Sequence, residues 1–214
     1  MIIAIDGPSA SGKSTTAKGV AEKLGITHLD TGAMYRTVTW GLKKAAIHPS
    51  DDKKVRDFLK GLEIYFDALN HIWLNGEDVS VEIRTGDISS RVSAVSAIPE
   101  VREKMVKIQR QIVGKKDCVL EGRDIGTVVF PDAEYKFFLV ADTEIRAKRR
   151  LLDLERIGES STLSELIDDI ERRDAVDSSR DHSPLLQAED AIPIDTSHLT
   201  INEQINKIVN LINQ

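Results

Sequence analysis

Apolar positions along this chain alternate between short unbroken runs and longer stretches with helical spacing. Ile2, Ile3, Ala4 and Ile5 form a continuous apolar run, the pattern of a strand buried on both faces. Ala17, Val20, Ala21 and Leu24 then recur three and four residues apart, and Gly25 stands where a helix C-cap is expected. Residues 27–29 read as a second strand. Asp30-Thr31-Gly32 predicts a break, followed by a helix from 33 to about 46 with Met34, Tyr35, Val38 and Leu42 on its apolar side. Arg36 would fall in the first turn of that helix, where a basic residue opposes the helix dipole. A bound anion would account for it, and so would a solvated surface arginine.

Between about 50 and 96 the texture changes. A short helix is expected over 51–62, with Val55, Phe58, Leu59 and Leu62 on one side. Three β-leaning segments follow at 63–67, 71–75 and 78–83, and Asn75-Gly76 supplies a hairpin turn because both residues tolerate positive φ. The stretch reads as a small antiparallel insert, in which His71 and Trp73 pack or face solvent. Pro99 then opens a long amphipathic helix to about 114, with Val101, Met105, Ile108 and Ile112 on its inner face. Strands are expected at 117–121, 135–140 and 191–195. Thr162 with Glu165 and Thr200 with Glu203 are capping boxes that open two further helices, the last with Ile201, Ile205, Ile208 and Ile212 inward. Strands alternating with helices predict an α/β fold around a parallel sheet.

The first strand and helix are joined by Gly7-Pro8-Ser9-Ala10-Ser11-Gly12-Lys13-Ser14, which fits G-x-x-x-x-G-K-[ST]. Glycines at both ends let successive backbone N–H groups point into one concavity, a nest for phosphate oxygens. Lys13 can then reach the β- and γ-phosphates, and the Ser14 hydroxyl can ligate Mg²⁺. The following helix turns the positive end of its dipole toward the same phosphates. Gly7 to Ser14, with Thr15 beside them, are the expected ATP-binding residues.

Composition narrows what surrounds that loop. At 214 residues, 41% hydrophobic and 30% charged, the chain has the make-up of an ordinary globular protein with one sizeable core. A formal net charge of −6 argues against nucleic acid as the ligand, so any phosphate site must come from local basic clusters. Cys118 is the only cysteine, so no intrachain disulfide can form, and beside Val119 and Leu120 it reads as a small buried hydrophobe. No apolar run reaches membrane-spanning length, and Asp6 falls where a signal peptide would be apolar. A cytoplasmic monomer without a membrane partner is expected.

Arginines gather at Arg36, Arg102, Arg123, at 146–156 and at 172–180. A triphosphate on a glycine loop needs only one or two such charges. Transfer of a phosphoryl group to a second phosphate needs more, because two anions must approach each other. Arginine suits that task through its planar, two-pronged fork, which does not deprotonate. Arg146, Arg149 and Arg150 would share one helical face, either on a polyphosphate or paired with Glu144, Asp153 and Glu155. On residues alone, a kinase for another small acceptor such as shikimate stays open, and so does a slow regulatory nucleotide switch. Against the switch, the chain carries no Asn-Lys-x-Asp guanine-reading motif.

Asp30-Thr31-Gly32-Ala33-Met34-Tyr35-Arg36, the run from Gly122 through Arg123-Asp124-Ile125-Gly126-Thr127 to Ala133, and Arg173, Asp177 and Arg180 join the glycine loop in a nearly end-to-end pattern. In these motifs the chain resembles the bacterial cytidylate kinases, within the nucleoside monophosphate kinase superfamily. The resemblance implies a three-layer P-loop fold with a central parallel sheet. It places the core at 1–30, 99–145 and 161–214, a monophosphate-binding region at 31–98 with an antiparallel insert at about 63–95, and a short lid at 146–160.

It further implies Mg²⁺-dependent transfer of the ATP γ-phosphoryl group to CMP or dCMP. Arg36, Arg123 and Arg180 would clamp the acceptor phosphate; Ser93, Arg102 and Asp124 would read cytosine; Arg173 and Asp177 would hold the ribose. Thr31 joins this acceptor set through its hydroxyl. Lys13, Arg123, Arg146 and Arg150 would act on the moving phosphoryl group. The strand ahead of Gly122 ends in Glu121, where the family of P-loop enzymes more often has aspartate.

Overall fold

The computed structural model describes residues 1–213, which divide into two compact units, Met1–Asp30 with Lys115 onward, and Thr31–Gly114. The first unit opens with β1 (Ile2–Asp6), α1 (Lys13–Leu24) and β2 (Thr27–Asp30). Gly25 adopts the left-handed conformation expected of the C-cap of α1.

The second unit begins with α2 (Thr31–Lys44) and α3 (Asp52–Lys60), the latter capped by the Asp51 carboxylate, which accepts from Lys54 N. The helix α2 starts at Thr31, so no break separates it from β2, and Arg36 lies in its second turn rather than its first. Next come β3 (Ile64–Phe66), β4 (Ile72–Leu74) and β5 (Glu77–Asp78), an antiparallel sheet in that order. The expected turn is there: Asn75 and Gly76 have φ of 49° and 84°. Trp73 stacks on Tyr65 at 5.9 Å and donates its Nε1–H to Asp67, whose carboxylate also lies 3.4 Å from His71.

The third expected strand is shorter than its β-leaning residues suggested. Asp78 Oδ1 accepts from both the N–H and the hydroxyl of Ser80, which turns the chain out of the sheet, and Glu82–Arg84 closes as a 3₁₀ turn. Thr85 then caps a helix, α4 (Gly86–Ser96), in a stretch read from sequence as part of the β insert. The last helix of this unit is α5 (Pro99–Val113), with Pro99 in its first turn and Val101, Met105 and Ile108 buried. The sequence boundaries had grouped it with the core.

The first unit resumes with β6 (Cys118–Gly122), a π-helical turn over Ile125–Val129 and β7 (Tyr135–Val140). It finishes with α6 (Thr143–Arg156), α7 (Leu163–Ser178), β8 (Ile192–Asp195) and α8 (Ile201–Ile212). Both capping boxes form. The inner face of α8 differs in one place: Ile201 is exposed, and Gln204 is buried between the remaining isoleucines.

Five strands make one parallel sheet in the order β2-β6-β1-β7-β8. Ile3, Ile5, Val119, Phe137, Leu139 and Ile194 form its inner layer with Ala17, Val20 and Ala21 of α1 and Ile205 and Ile208 of α8. Each such large aliphatic or aromatic side chain contributes about 1.5–3 kcal/mol by leaving water. Cys118 is buried as expected, and burial raises its thiol to about 12. The register sets Asp6 beside Gly122 and Asp30 beside Glu121, so the polar residues that follow the strands emerge at one edge of the sheet. That carboxyl edge is where open α/β sheets bind ligands.

Candidate active site

The glycine loop closes on the end of β7. An added Cβ on Gly7 would sit 2.1 Å from the Leu139 carbonyl oxygen, and φ at Gly7 is 149°, so only glycine fits there. Ala10 and Gly12 also have positive φ, 58° and 92°, which turns the peptide groups between them inward. Lys13 is buried within the curl, donating to Pro8 O at 2.5 Å and to Ser11 Oγ at 3.3 Å. Burial pushes its ammonium well below the usual lysine range, and the nearby Arg123 guanidinium adds to the effect. Glu121, Asp6 and Asp177 act in the opposite sense.

Side chains from four other elements brace the loop. Arg146 of α6 is buried and spends every nitrogen on the protein: Nε on Ala141 O, Nη1 on Ser9 O and Asp174, Nη2 on Thr143 Oγ1. Arg149 donates to the carbonyl and hydroxyl of Thr196, whose hydroxyl in turn bonds Ser11 O at 3.0 Å. Gln204 of α8 accepts from Thr16 Oγ1 at 2.7 Å and donates to Leu199 O. Of the two alternatives for this face, pairing with Glu144, Asp153 and Glu155 does not form around Arg146 and Arg149; Glu144 pairs with Lys148 and Asp153 with Arg156. Arg150 is half-buried, without an ion-pair partner among the described residues.

Ser14 and Thr15 are exposed at the start of α1. The Ser14 hydroxyl donates to Glu121 Oε2, and the other carboxylate oxygen lies 3.1 Å from His28 Nε2 on β2. A serine hydroxyl backed by a buried carboxylate is a hard-oxygen set suited to Mg²⁺. Glu121 thus stands near the end of β6, directly behind the Ser14 hydroxyl.

Beside the loop, the same unit holds a cationic cluster. Arg123 Nε donates to Asp177 Oδ2 at 2.8 Å, and Arg180 Nη2 lies 3.5 Å from Oδ1. Burial alone would raise the Asp177 carboxyl, yet Arg123 and Arg180 hold it below the usual value. Arg173 is brought down to about 10 by burial and then by Arg123, and its buried Nε has no hydrogen-bond partner among the described residues. Asp124 is buried at the start of the π-helical turn. Arg123, Arg173 and Arg180 gather around one buried carboxylate, with Arg173 also 3.9 Å from Asp169, and guanidinium forks grouped in this way suit a phosphate.

In the second unit, α2, α4 and α5 converge. Arg102 lies over the Tyr35 ring, 5.3 Å from its centroid, and donates to Ser96 O at 3.1 Å. Ser96 Oγ donates to the Ser93 carbonyl, and Ser93 and Thr31 are both buried. Arg36 is half-buried on α2.

Sequence reasoning missed Asp6, Asp174, Thr196, Gln204 and the His28–Glu121 contact. Asp6, Thr196, Gln204 and the His28–Glu121 pair act across more than ninety residues of chain, and Asp174 across 28 to Arg146 and 165 to Ser9, so no local spacing could announce them. A usable signal existed for Asp6, an acidic residue ending an apolar strand just before a phosphate loop.

A family model described as cytidylate kinase matches residues 3–214. The chain is 48% identical over 213 residues to "Cytidylate kinase" of Clostridioides difficile, covering 100% of this chain and 98% of that protein. It is 50% identical over 206 residues to "Cytidylate kinase" of Geobacter sp. strain M21, covering 95% and 88%. Among solved structures, shikimate kinase from Bacteroides thetaiotaomicron superposes with a TM-score of 0.50 at 12% identity, covering 100% of this chain and 99% of that one. That likeness concerns the fold alone. With a family match over almost its whole length and relatives near half identical, this chain belongs to the cytidylate kinase family.

Proposed function

We propose that this nucleoside monophosphate kinase transfers the γ-phosphoryl group of ATP to CMP or dCMP, giving ADP with CDP or dCDP, through the side chains named above. One observation supports the residue assignment: Asp6, next to Gly7 of the phosphate loop, bonds the N–H groups of Ile125 and Gly126, so the loop and the turn after Arg123 and Asp124 lie together. Donor and acceptor phosphates bound at these two places would lie side by side.

Arg123, Arg180 and Arg36 hold the acceptor phosphate, and Arg173 and Asp177 hold the ribose. Asp124 accepts from the cytosine amino group while Arg102 and Ser93 serve the remaining base edge. Uracil reverses donor and acceptor on that edge, so it leaves buried groups unpaired and is rejected. Thr31 supports this pocket through its hydroxyl. The attacking phosphate oxygen is already anionic, so no general base is required. Lys13, Arg123 and Arg150 stabilise charge that spreads over the moving group's equatorial oxygens. Arg146 supports that step through Ser9 and Asp174.

Mg²⁺, bound by Ser14 with Glu121 behind it, would neutralise the β- and γ-phosphate oxygens. The segment 146–160 acts as a lid that excludes water. We also take the working form to be a cytoplasmic monomer; among the described residues no helix is long and apolar enough to cross a membrane. The test is an ADP-coupled assay over CMP, dCMP, UMP, AMP and shikimate. Saturation by CMP and dCMP is expected, and preference for any other acceptor contradicts the reading.

A further inference from the structure

The turn that follows Arg123 and Asp124 closes through its own backbone, Val128 and Val129 donating to Asp124 O, but its leading N–H groups are held from elsewhere. Its first two N–H groups, at Ile125 and Gly126, both point at one carboxylate from a different strand. Asp6 Oδ1 accepts from Ile125 N at 2.9 Å and Oδ2 from Gly126 N at 2.8 Å. Asp6 ends β1, one residue before the phosphate loop begins, and is 5% exposed. It therefore does from 119 and 120 residues away what an N-cap side chain does locally. Asp124 supplies no side-chain cap to that turn.

We propose that Asp6 is a positioning residue for nucleobase selection: its two oxygens fix the turn behind Asp124 and tie it to the phosphate loop. Both ends of the link are short. Asp6 precedes Gly7 directly, and Ile125 follows Asp124 directly, so any shift of the carboxylate moves the base-reading side chain against the donor loop. The charged groups around Asp6 are Asp124, which repels it, and Lys13, which attracts it; the aliphatic part of Lys136 packs against Gly126. Burial, the largest influence, raises the Asp6 carboxyl to about 6.

This inference rests on the reading of Asp124 as a base contact, and the experiment separates the two. In Asp6→Asn one oxygen still accepts, but the amide NH₂ faces a second N–H, leaving a buried donor unmatched. The full chain carrying Asp6→Asn is compared with Asp124→Ala and the double variant for kcat and KM with CMP, UMP and ATP. Asp6→Asn should raise the KM for CMP and lower the CMP-over-UMP preference by about tenfold each, with the KM for ATP within about twofold.

The double variant should discriminate no worse than Asp124→Ala, because Asp6 acts through Asp124. Equal losses for ATP and CMP would make Asp6 a general support and overturn the inference. Lost selectivity in Asp124→Ala alone overturns it too. Unchanged selectivity in both removes the base-reading assignment, and the inference with it.

If Asp6→Asn does not fold, the wild type decides. Without nucleotide, the Ile125 and Gly126 amide resonances should titrate together near pH 6 as Asp6 loses its proton. Flat resonances from pH 5 to 8, on the scale that brackets that value, would contradict the link.

Discussion

Arg123 and Asp177 form a hydrogen-bonded ion pair, Nε to Oδ2 at 2.8 Å, across 54 residues of chain. Arg180 lies 3.5 Å from the other oxygen of the same carboxylate, Arg173 lies 3.9 Å from Asp169, and Arg123 also bears on Lys13. Asp177→Ala should therefore cost about 3 kcal/mol in denaturant unfolding, because removing one partner strands buried charge. It should also raise the KM for CMP more than that for ATP. Since Asp177 is held below the usual carboxylate value, its contribution is present above the unfolded pKa of 3.8 and is lost as pH falls through the folded value.

Lys13→Ala should reduce kcat by roughly a thousandfold, the scale of losing one preorganised charge from a transition state. The melting temperature should not fall, because the variant removes a buried cation already repelled by Arg123. Turnover near the wild-type rate would take the loop out of the mechanism.

Gly7→Ala tests the loop's closure on β7. A methyl group would meet the Leu139 carbonyl oxygen at 2.1 Å, backbone against backbone, so neither side can swing away. A destabilisation of about 3 kcal/mol or more is expected by thermal or denaturant unfolding, together with loss of ATP binding.

Asp6 has the opposite pH signature from Asp177. Its folded-state pKa of about 6 stands above the ordinary value of 3.8, so the folded chain holds that proton more tightly than the unfolded one. Its stabilising contribution is complete below the unfolded value and drains away as pH rises through the folded one. The stability of the wild type relative to Asp6→Asn should therefore decline between pH 4 and 6, the window those two values define, and level off above it. Unfolding free energies measured at stepped pH check this; a difference that grows with pH over that window would contradict it.

The legible parts of the molecule were those with local causes. Ile2–Ile5, the glycine loop and the two capping boxes each complete their logic within a few residues, so β1, α1, α7 and α8 could be placed from spacing alone. The α4 helix was hidden because its face is thin: Ile88, Ser93, Val95 and Ser96 are buried, and two of those are serines. The third strand of the insert was overread because Val79 and Ile83 are apolar; Val79 still donates to Ile72 O of β4, but Ser80 then turns the chain and Ile83 is buried beyond the sheet. Residues that support the site through the sheet, such as Asp6, His28 and Gln204, carry no periodic signal. Their partners are distant in sequence; the strand order brings Asp6 and His28 to theirs, and the packing of α8 on α1 brings Gln204 to Thr16.

The most direct test is calorimetric titration of the full chain with a non-hydrolysable ATP analogue and with CMP, alone and in sequence. One molecule of each per chain is expected, with CMP still binding when the analogue is already in place and UMP binding at least tenfold more weakly by the size of an unmatched buried pair, about 1.4 kcal/mol. A single shared site, with CMP and the analogue displacing each other, would contradict two adjoining phosphate sites on one chain.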